Sequence, residues 1–224
     1  MKVIVTGSEG LIGKSLCDSL EKHNHSVLRI DLSLGHDLTD EKFVKDYFIK
    51  NNANALVNLF ALNHHIKNGN SNNNLLDITL ESFKNYLDIN LTALLSVCRE
   101  FARNNKQGSI VNFSSTYGVT SPRLDLYNNE QKHIGYSVSK AGVLMLTKHL
   151  ATHLAPDMRV NSIIPGGVEH TQDDEFKNKY SIQTPLGRMM NVEELYGAVE
   201  YLISEKSSYV TGTEIKVDGG WTSW

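Results

Sequence analysis

The 224-residue sequence has little cysteine, no strong excess of either charge and no long apolar run. Its two cysteines, Cys17 and Cys98, are too few for a disulfide framework. A formal net charge of -3 and a pI near 6.3 provide no basic surface of the kind that binds nucleic acid. The N-terminus passes from Lys2 into a strand pattern, and the apolar runs are short and interrupted, which argues against a secretory signal or a membrane span. We therefore expect a cytoplasmic protein that binds neither nucleic acid nor membranes.

Short β-branched runs alternate with helical periods along the whole chain. This alternation predicts an α/β fold in one domain, residues 1–224, with a doubly wound parallel sheet in three αβα layers. The predicted strands are 2–6, 26–31, a very short 32–38, 54–60, 108–114, 159–165 and 214–220. The predicted helices are 11–23, 40–50, 79–103, 133–154 and 191–204. Residues 61–74 are predicted to form a polar loop and residues 115–132 an irregular stretch.

Three glycines, Gly7, Gly10 and Gly13, lie between the first predicted strand and the first predicted helix. Glycine permits positive φ and close approach of a pyrophosphate, and a helix N-terminus offers free N–H groups. Asp31 ends the next strand, where a carboxylate accepts both ribose hydroxyls of an adenosine and repels a 2'-phosphate. The pattern predicts a dinucleotide site that favours NAD over NADP, although Arg29 or Lys14 nearby could accept a phosphate. The alternative is a glycine turn that serves packing alone.

Tyr136 and Lys140 lie four residues apart in "YSVSK", so both side chains project from one face of a helix. A phenol with a pKa of about 10 is a poor base, and bringing that pKa near 7 requires about 4 kcal/mol of stabilisation of the phenolate. A neighbouring ammonium can supply much of it, and Ser115 at a strand end could hold a substrate oxygen. The alternative is an ordinary helical tyrosine and lysine.

Taken together, the segments from Lys2 to Gly220 resemble the short-chain dehydrogenase/reductase family. The resemblance is carried by "TGSEGLIG", "DLTD", "DINLTALL", "GSIVNFSS", "YSVSKAGVLMLTKHLA", "RVNSIIPGGV", "TPLGRM" and "VTGTEIKVDGGW". It implies a Rossmann-type fold and an oxidoreductase that moves hydride between a nicotinamide and a secondary alcohol or ketone.

The resemblance also implies roles for individual residues. Tyr136 would exchange the proton with the alcohol or carbonyl, Lys140 would lower the pKa of Tyr136 and bind the nicotinamide ribose, Ser115 would orient the substrate, and Asn90 would hold a water. The implied cofactor-binding residues are Gly7, Glu9, Gly10, Leu11, Ile12, Gly13, Asp31, Asp37, Leu38, Asn58, Ala61, Tyr136, Lys140, Pro165, Gly166 and Val168.

The sequence departs from the classical branch of this family in its glycine spacing. The order G-x-x-G-x-x-G is that of the extended branch, which modifies sugar nucleotides, so an NAD-dependent epimerase or dehydratase is an alternative function. Only 84 residues follow Lys140, too few for that branch's separate substrate domain. The span from Asp31 to Asp37 is too short for the usual second helix, and "NLFA" stands in place of "NNAG". A non-catalytic dinucleotide sensor is a third interpretation.

The stretch between Ser115 and Tyr136 is longer than is usual in the family and resembles that of enzymes of bacterial surface-sugar and nonulosonic-acid pathways, including flagellin glycosylation. We expect Tyr117, Arg123, Asp125 and Tyr127 to lie over the cleft. Such groups suit a polar, sugar-derived or phosphorylated small molecule. The predicted substrate-binding residues are Ser115, Tyr117, Arg123 and Tyr136. The alternative is a surface loop or an oligomer contact.

Four further residues are candidate metal ligands or subunit contacts. His64 and His65 have no accompanying cysteine or carboxylate cluster, so we predict no metal site. Trp221 and Trp224 form an apolar tail, which favours a subunit contact in a homodimer or homotetramer.

Overall fold

A computed structural model describes residues 1–63, 75–127 and 132–224. Its sheet has six strands, every pair of neighbours parallel, in the order β2-β1-β3-β4-β5-β6. The strands are β1 (Lys2–Thr6), β2 (Ser26–Ile30), β3 (Ala55–Asn58), β4 (Gly108–Phe113), β5 (Met158–Pro165) and β6 (Glu214–Val217). The strand order reverses between β1 and β3, and in such sheets ligands bind at the carboxyl ends of the strands at that point.

Helices cover both faces of the sheet. They are α1 (Leu11–Lys22), α2 (Glu41–Lys50), α3 (Leu80–Leu87), α4 (Ala93–Asn104), α5 (Ile134–Leu154), α6 (Asp174–Gln183) and α7 (Tyr196–Ile203). One buried cluster joins Ile4 and Ile110 to Phe101 and Val143 from α4 and α5. The other joins the alternate residues of the same strands to α1 and α7. The doubly wound αβα sandwich of the Rossmann type is therefore confirmed.

The short strand predicted at 32–38 is wrong. The Asp31 carboxylate accepts hydrogen bonds from the N–H and the hydroxyl of Ser33, at 2.9 and 2.8 Å. This local bond closes a 3-10 turn at Leu32–Leu34, which ends at Gly35 with a φ of 82°. Side-chain bonds of this kind compete with sheet pairing. The sheet consequently ends at β2, and the chain returns directly into α2.

Two helix predictions also need correction. The helix predicted over 79–103 is interrupted by a π-helical turn at Asp88–Thr92, between α3 and α4. The polar segment before residue 191 contains α6, whose N-terminus is capped by the Asp173 carboxylate. Its only buried residue is Tyr180, so it lacks the apolar stripe by which a helix is recognised in sequence.

The C-terminal tryptophans have different environments. The Trp221 ring is buried and stacks on Tyr180, with ring centroids 4.2 Å apart. The subunit contact predicted for Trp221 is therefore wrong, because its own chain covers it, whereas Trp224 is 75% exposed. None of the helices in the described ranges is long and apolar enough to cross a membrane. His64 and His65 lie outside the described residues.

Candidate active site

A cleft of about 630 Å³ runs along the carboxyl ends of β1, β3, β4 and β5. Most of the residues implied by the family resemblance line it. These are Gly7, Gly10, Leu11, Ile12, Gly13, Ala61, Ser115, Tyr117, Tyr136, Lys140, Pro165, Gly166 and Val168. The cleft lies at the reversal of strand order, as expected for a nucleotide site in this topology.

The glycine turn at the start of the cleft has no room for side chains. Gly7 has a φ of 69°, and a Cβ there would lie 2.6 Å from the Phe60 nitrogen. A Cβ at Gly13 would overlap the Gly7 carbonyl oxygen. Gly10 occupies the N-cap position of α1, and no side chain accepts a hydrogen bond from the first turn of the helix there. The N–H groups of the first turn are left for a ligand, so the turn fits the pyrophosphate of a dinucleotide.

Asp31 is held as a carboxylate beside this turn. One of its oxygens accepts the Glu9 N–H at 3.1 Å, and the other accepts the bonds of Ser33. Burial raises the pKa of Asp31, but these hydrogen bonds outweigh it and keep the pKa below its usual range. The negative charge of Asp31 at the end of β2 therefore repels a phosphate group on the adenosine ribose.

The guanidinium of Arg29 is paired with acidic side chains of α1. Its guanidinium donates to Asp18 at 2.8 Å and to Glu21 at 3.0 Å. The same guanidinium lies 3.9 Å from the Glu9 carboxylate, and Glu9 does not line the cleft. With three carboxylates around it, Arg29 is poorly placed to bind a 2'-phosphate on the adenosine ribose.

Five of the residues implied to bind the cofactor lie outside the lining of the cleft: Glu9 and Asp31, described above, and Asp37, Leu38 and Asn58. The Asp37 carboxylate bonds the N–H and hydroxyl of Thr39, and Leu38 is buried in the core. Asn58 is buried among strands, where it accepts the Thr6 hydroxyl at 3.0 Å and donates to Asn112 at 2.9 Å. The contact predicted for Asn58 is wrong, because its amide cross-links β1, β3 and β4.

Tyr136 and Lys140 both project into the cleft from the first turns of α5. The Lys140 ammonium lies 5.8 Å from the centre of the Tyr136 ring and donates to the Phe113 carbonyl at 2.8 Å. Burial lowers the pKa of Lys140 to about 8. Burial also raises the pKa of Tyr136, and a hydrogen bond with Ser115 only partly opposes this. Burial thus dominates the pKa of Tyr136 in this geometry, where the Lys140 ammonium faces a carbonyl, and the lowering of the phenol pKa by Lys140 stays a prediction.

Ser115 and Asn90 have different positions relative to the cleft. Ser115 follows β4, lines the cleft, and its hydroxyl accepts the Tyr117 N–H at 3.1 Å. Asn90 lies behind the lining in the π-helical turn. Its amide accepts the Leu62 N–H at 2.6 Å and donates to the Leu62 carbonyl and to the Ser139 hydroxyl, at 3.1 and 3.0 Å. Asn90 thus fixes the segment that follows β3, and π-turns of this kind are frequent at functional sites.

The long stretch before α5 contributes only part of what was predicted. Tyr117 and Tyr127 line the cleft, and their hydroxyl oxygens are 2.6 Å apart. Arg123 does not line the cleft, so its predicted contact is wrong. Its side chain is 51% exposed and lies 3.6 Å from Asp125. The 3-10 turn at Leu124–Tyr127 buries Leu126 instead and leaves Arg123 outside.

The structure adds a lysine that the sequence analysis missed. Lys132 lines the cleft, and its ammonium lies 5.3 Å from the centre of the Tyr136 ring. Burial lowers its pKa to about 8. Lys132 precedes Tyr136 by four residues, a helical interval, but α5 begins only at Ile134, so helix periodicity did not apply to it. His133, the N-cap, accepts the Gly135 N–H as a polar helix-start residue.

Known proteins resemble this chain over almost its whole length. The chain matches, over residues 3–222, a family model described as enoyl-(acyl carrier protein) reductase. It is 30% identical to the 3-oxoacyl-(acyl-carrier-protein) reductase FabG of Aquifex aeolicus, over 97% of this chain and 86% of that protein. It is 27% identical to the post-translational flagellin modification protein A of Campylobacter coli, over 98% of this chain and 97% of that protein. A short-chain dehydrogenase from Leptospira borgpetersenii, solved with bound NAD+, aligns with a TM-score of 0.88 and 30% identity over 99% and 92% of the two chains.

The chain therefore belongs to the short-chain dehydrogenase/reductase family. It is an oxidoreductase that interconverts CH–OH and carbonyl groups with a nicotinamide dinucleotide.

The buried ammonium of Lys140 predicts that Lys140→Met stabilises the protein while removing activity. A pKa lowered from 10.5 to about 8 disfavours the charged form. After loss of one hydrogen bond, the gain in free energy of unfolding near pH 7 is on the order of 1–3 kcal/mol. Between pH 8 and 10.5 the unfolded chain keeps the proton that the folded chain has lost, so the wild type becomes more stable as pH rises. The gain is thus full below pH 8 and shrinks above it.

Denaturant unfolding near neutral pH and near pH 10 measures this change. Lys148→Met is the matched control, because Lys148 lies on the same helix with its side chain 51% exposed. It is expected to give no gain at either pH. A Lys140→Met variant that is less stable than the wild type near neutral pH would contradict the assignment of a strained, buried ammonium.

Proposed function

We propose that this enzyme transfers hydride between NAD and a secondary alcohol or ketone of a polar, sugar-derived or sugar-phosphate substrate. The observation that carries the proposal is the meeting of Tyr136, Ser115 and Lys140 in the one cleft that begins at the glycine turn. Similarity to the flagellin modification protein of Campylobacter coli supports a role in a modification pathway of that kind. The tyrosine hydroxyls along the cleft suit a hydroxyl-rich molecule.

Each residue of the site has its own role in the transfer of hydride and proton. When bound, the dinucleotide gives or takes hydride at its nicotinamide ring. Tyr136 exchanges the proton at the substrate oxygen, and Ser115, already hydrogen-bonded to Tyr136, orients that oxygen. Lys140 provides positive charge beside the phenol. Asn90 acts as a positioning residue through its bonds to Leu62 and Ser139.

The glycine spacing favours one alternative, an NAD-dependent sugar-nucleotide epimerase or dehydratase. Such an enzyme regenerates its cofactor within each turnover, so the dinucleotide stays bound and no reduced form accumulates. Steady growth of absorbance at 340 nm with an oxidisable substrate distinguishes the oxidoreductase from this alternative.

Tyr136→Phe tests the central assignment. Loss of the hydroxyl is expected to lower kcat by at least about 100-fold, because the proton at the substrate oxygen loses its exchange partner. NAD affinity is expected to change little, since the glycine turn and Asp31 are untouched. The measurements are initial rates of NADH formation and a calorimetric NAD titration. Tyr47→Phe on α2, which does not line the cleft, is the control. Normal turnover by Tyr136→Phe would remove both catalytic functions.

Asp31→Asn tests the preference for NAD over NADP. Loss of the carboxylate removes charge-assisted bonds worth about 1.5–3 kcal/mol, so kcat/KM with NAD is expected to fall about 10- to 100-fold. The rate with NADP is expected to fall less or to rise, because the repulsion of the 2'-phosphate is gone. Asp46→Asn, an exposed acid on α2, is expected to keep the wild-type preference. An unchanged ratio of the two rates in Asp31→Asn would show that another residue sets the choice.

We also propose that the protein forms a homodimer or homotetramer in the cytoplasm. Ile134, Val138 and Met145 form an apolar stripe on α5 and are 38%, 43% and 57% exposed. Their spacing places them on one helix face, which a second copy of the stripe would bury.

Val138→Glu is expected to lower the molar mass in solution, measured by light scattering after gel filtration, because it places a charge at the centre of the stripe. Ile182→Glu, at an exposed apolar position on α6, is expected to keep the mass of the wild type. A wild-type protein of monomeric mass would contradict the proposed assembly.

A further inference from the structure

The segment at the end of β5, residues 165–168, lines the cleft on the side remote from Asp31. Three strands, β1, β3 and β4, separate β5 from β2, the strand that Asp31 follows, and neighbouring strands lie about 4.8 Å apart. Ser115 follows the adjacent strand β4 and lines the same cleft with Tyr136. With the adenosine end of a dinucleotide at Asp31, its nicotinamide end therefore reaches residues 165–168.

Three hydrogen bonds fix the backbone of the two glycines in this segment. The Gly166 N–H donates to the Val217 carbonyl on β6 at 2.8 Å. The Gly167 carbonyl accepts the Met190 N–H at 2.9 Å. The Gly167 N–H donates to the Tyr180 hydroxyl at 2.5 Å. Of these three bonds, the last alone depends on a side chain, so a residue of α6 sets the direction of the Gly167 amide.

The two glycines leave room for close neighbours. Neither has a left-handed backbone, so their role is one of space and not of conformation. A Cβ at Gly166 would lie 2.9 Å from the Asp218 Cα, and a Cβ at Gly167 would lie 2.7 Å from the Tyr180 ring. Close packing does not accommodate such short contacts. Glycine at position 167 thus allows the Tyr180 phenol to reach the backbone N–H.

The C-terminal segment holds the Tyr180 ring in place. The Trp221 ring stacks on it, with centroids 4.2 Å apart and planes inclined by 12°, and both residues are buried. The Trp221 N–H donates to the Asp218 carbonyl at 3.1 Å, which closes a turn directly after β6. Burial raises the pKa of Tyr180 to about 12, so the hydroxyl stays neutral. A chain of contacts therefore runs from the C-terminal turn to the Gly167 amide.

We propose that Tyr180 is a positioning residue for the nicotinamide half of the cofactor. Its hydroxyl fixes the Gly167 amide, and with it the segment against which the nicotinamide binds. Trp221 keeps the Tyr180 ring in place by stacking. This inference rests on the proposed binding of NAD in the cleft, and it adds two side chains that the family resemblance does not imply as cofactor-binding residues.

NADH and ADP-ribose test this assignment, because ADP-ribose lacks the nicotinamide and shares the rest of the molecule. Each is titrated calorimetrically into the full-length protein. The wild type is expected to bind NADH at least about ten-fold more tightly than ADP-ribose. Tyr180→Phe keeps the stacked ring but removes the acceptor of the Gly167 N–H. It is expected to lower the ratio of the two affinities about five-fold and to leave ADP-ribose affinity within about two-fold of the wild type.

A ratio of affinities does not depend on the fraction of protein that is folded, so a loss of stability alone leaves it unchanged. An unchanged ratio in Tyr180→Phe overturns the proposal. An equal loss of affinity for both ligands, which a merely structural role would cause, also overturns it. So does a wild type that binds NADH and ADP-ribose equally.

Trp221→Ala tests the second contact while leaving the Tyr180 hydroxyl in the chain. It is expected to lower the ratio as Tyr180→Phe does, and Trp221→Phe, which keeps an aromatic ring, is expected to retain most of the ratio. Tyr209→Phe and Trp224→Ala are the matched controls, because both side chains are exposed. Each is expected to keep the wild-type ratio. Retention of the full ratio in Trp221→Ala, or its loss in either control, overturns the role of Trp221.

The same titrations separate this inference from the proposed function. If neither NADH nor ADP-ribose binds the wild type, the proposed cofactor is wrong. If both bind and Tyr136→Phe loses turnover while Tyr180→Phe keeps the ratio, only the assignment of Tyr180 fails.

Discussion

The burial of the Lys140 ammonium beside the ring of Tyr136 is the constraint on which the site depends. A charged amine inside a protein is unfavourable unless other groups compensate it. Here the compensation within the described chain is partial: Lys140 has the Phe113 carbonyl, at 2.8 Å, in place of a carboxylate. The site therefore keeps positive charge where proton and hydride transfer take place, at the expense of the stability of the folded chain.

A cluster of polar side chains within the sheet supports the helix that carries Lys140. Asn58 and Asn112 lie within the sheet and hydrogen-bond each other, with Thr6 and Thr147 completing the chain of contacts. Each amide is satisfied, so the cluster joins β1, β3, β4 and α5 without an unpaired polar group between these side chains. Because Thr147 lies on the helix that carries Tyr136 and Lys140, the register of the sheet and the position of the catalytic helix are linked.

The sequence predicted the parts of this structure that follow from local pattern. Strand alternation, the glycine turn and the four-residue interval of Tyr136 and Lys140 each have a signal within a few residues. The strand predicted at 32–38 is absent because the Asp31 carboxylate accepts hydrogen bonds from both the N–H and the hydroxyl of Ser33, which close a turn there. Asn58, Arg123 and Lys132 were misassigned or missed because the direction of a side chain in an irregular segment is set by distant contacts. No spacing rule reveals that Leu126 turns inward and Arg123 outward.

The two ends of the cleft follow the same physical principle, because each holds a charged group in place with hydrogen bonds. At the adenosine end a fixed carboxylate, Asp31, keeps its charge through hydrogen bonds from the backbone of Glu9 and Ser33. At the other end the buried Lys140 ammonium is held by the Phe113 carbonyl at 2.8 Å, although burial lowers its pKa to about 8. A ligand that places hydroxyls beside the Asp31 carboxylate and acceptor oxygens beside Lys140 forms hydrogen bonds at both ends. Because these bonds compensate the burial of the charged groups, a ligand that makes them stabilises the folded chain.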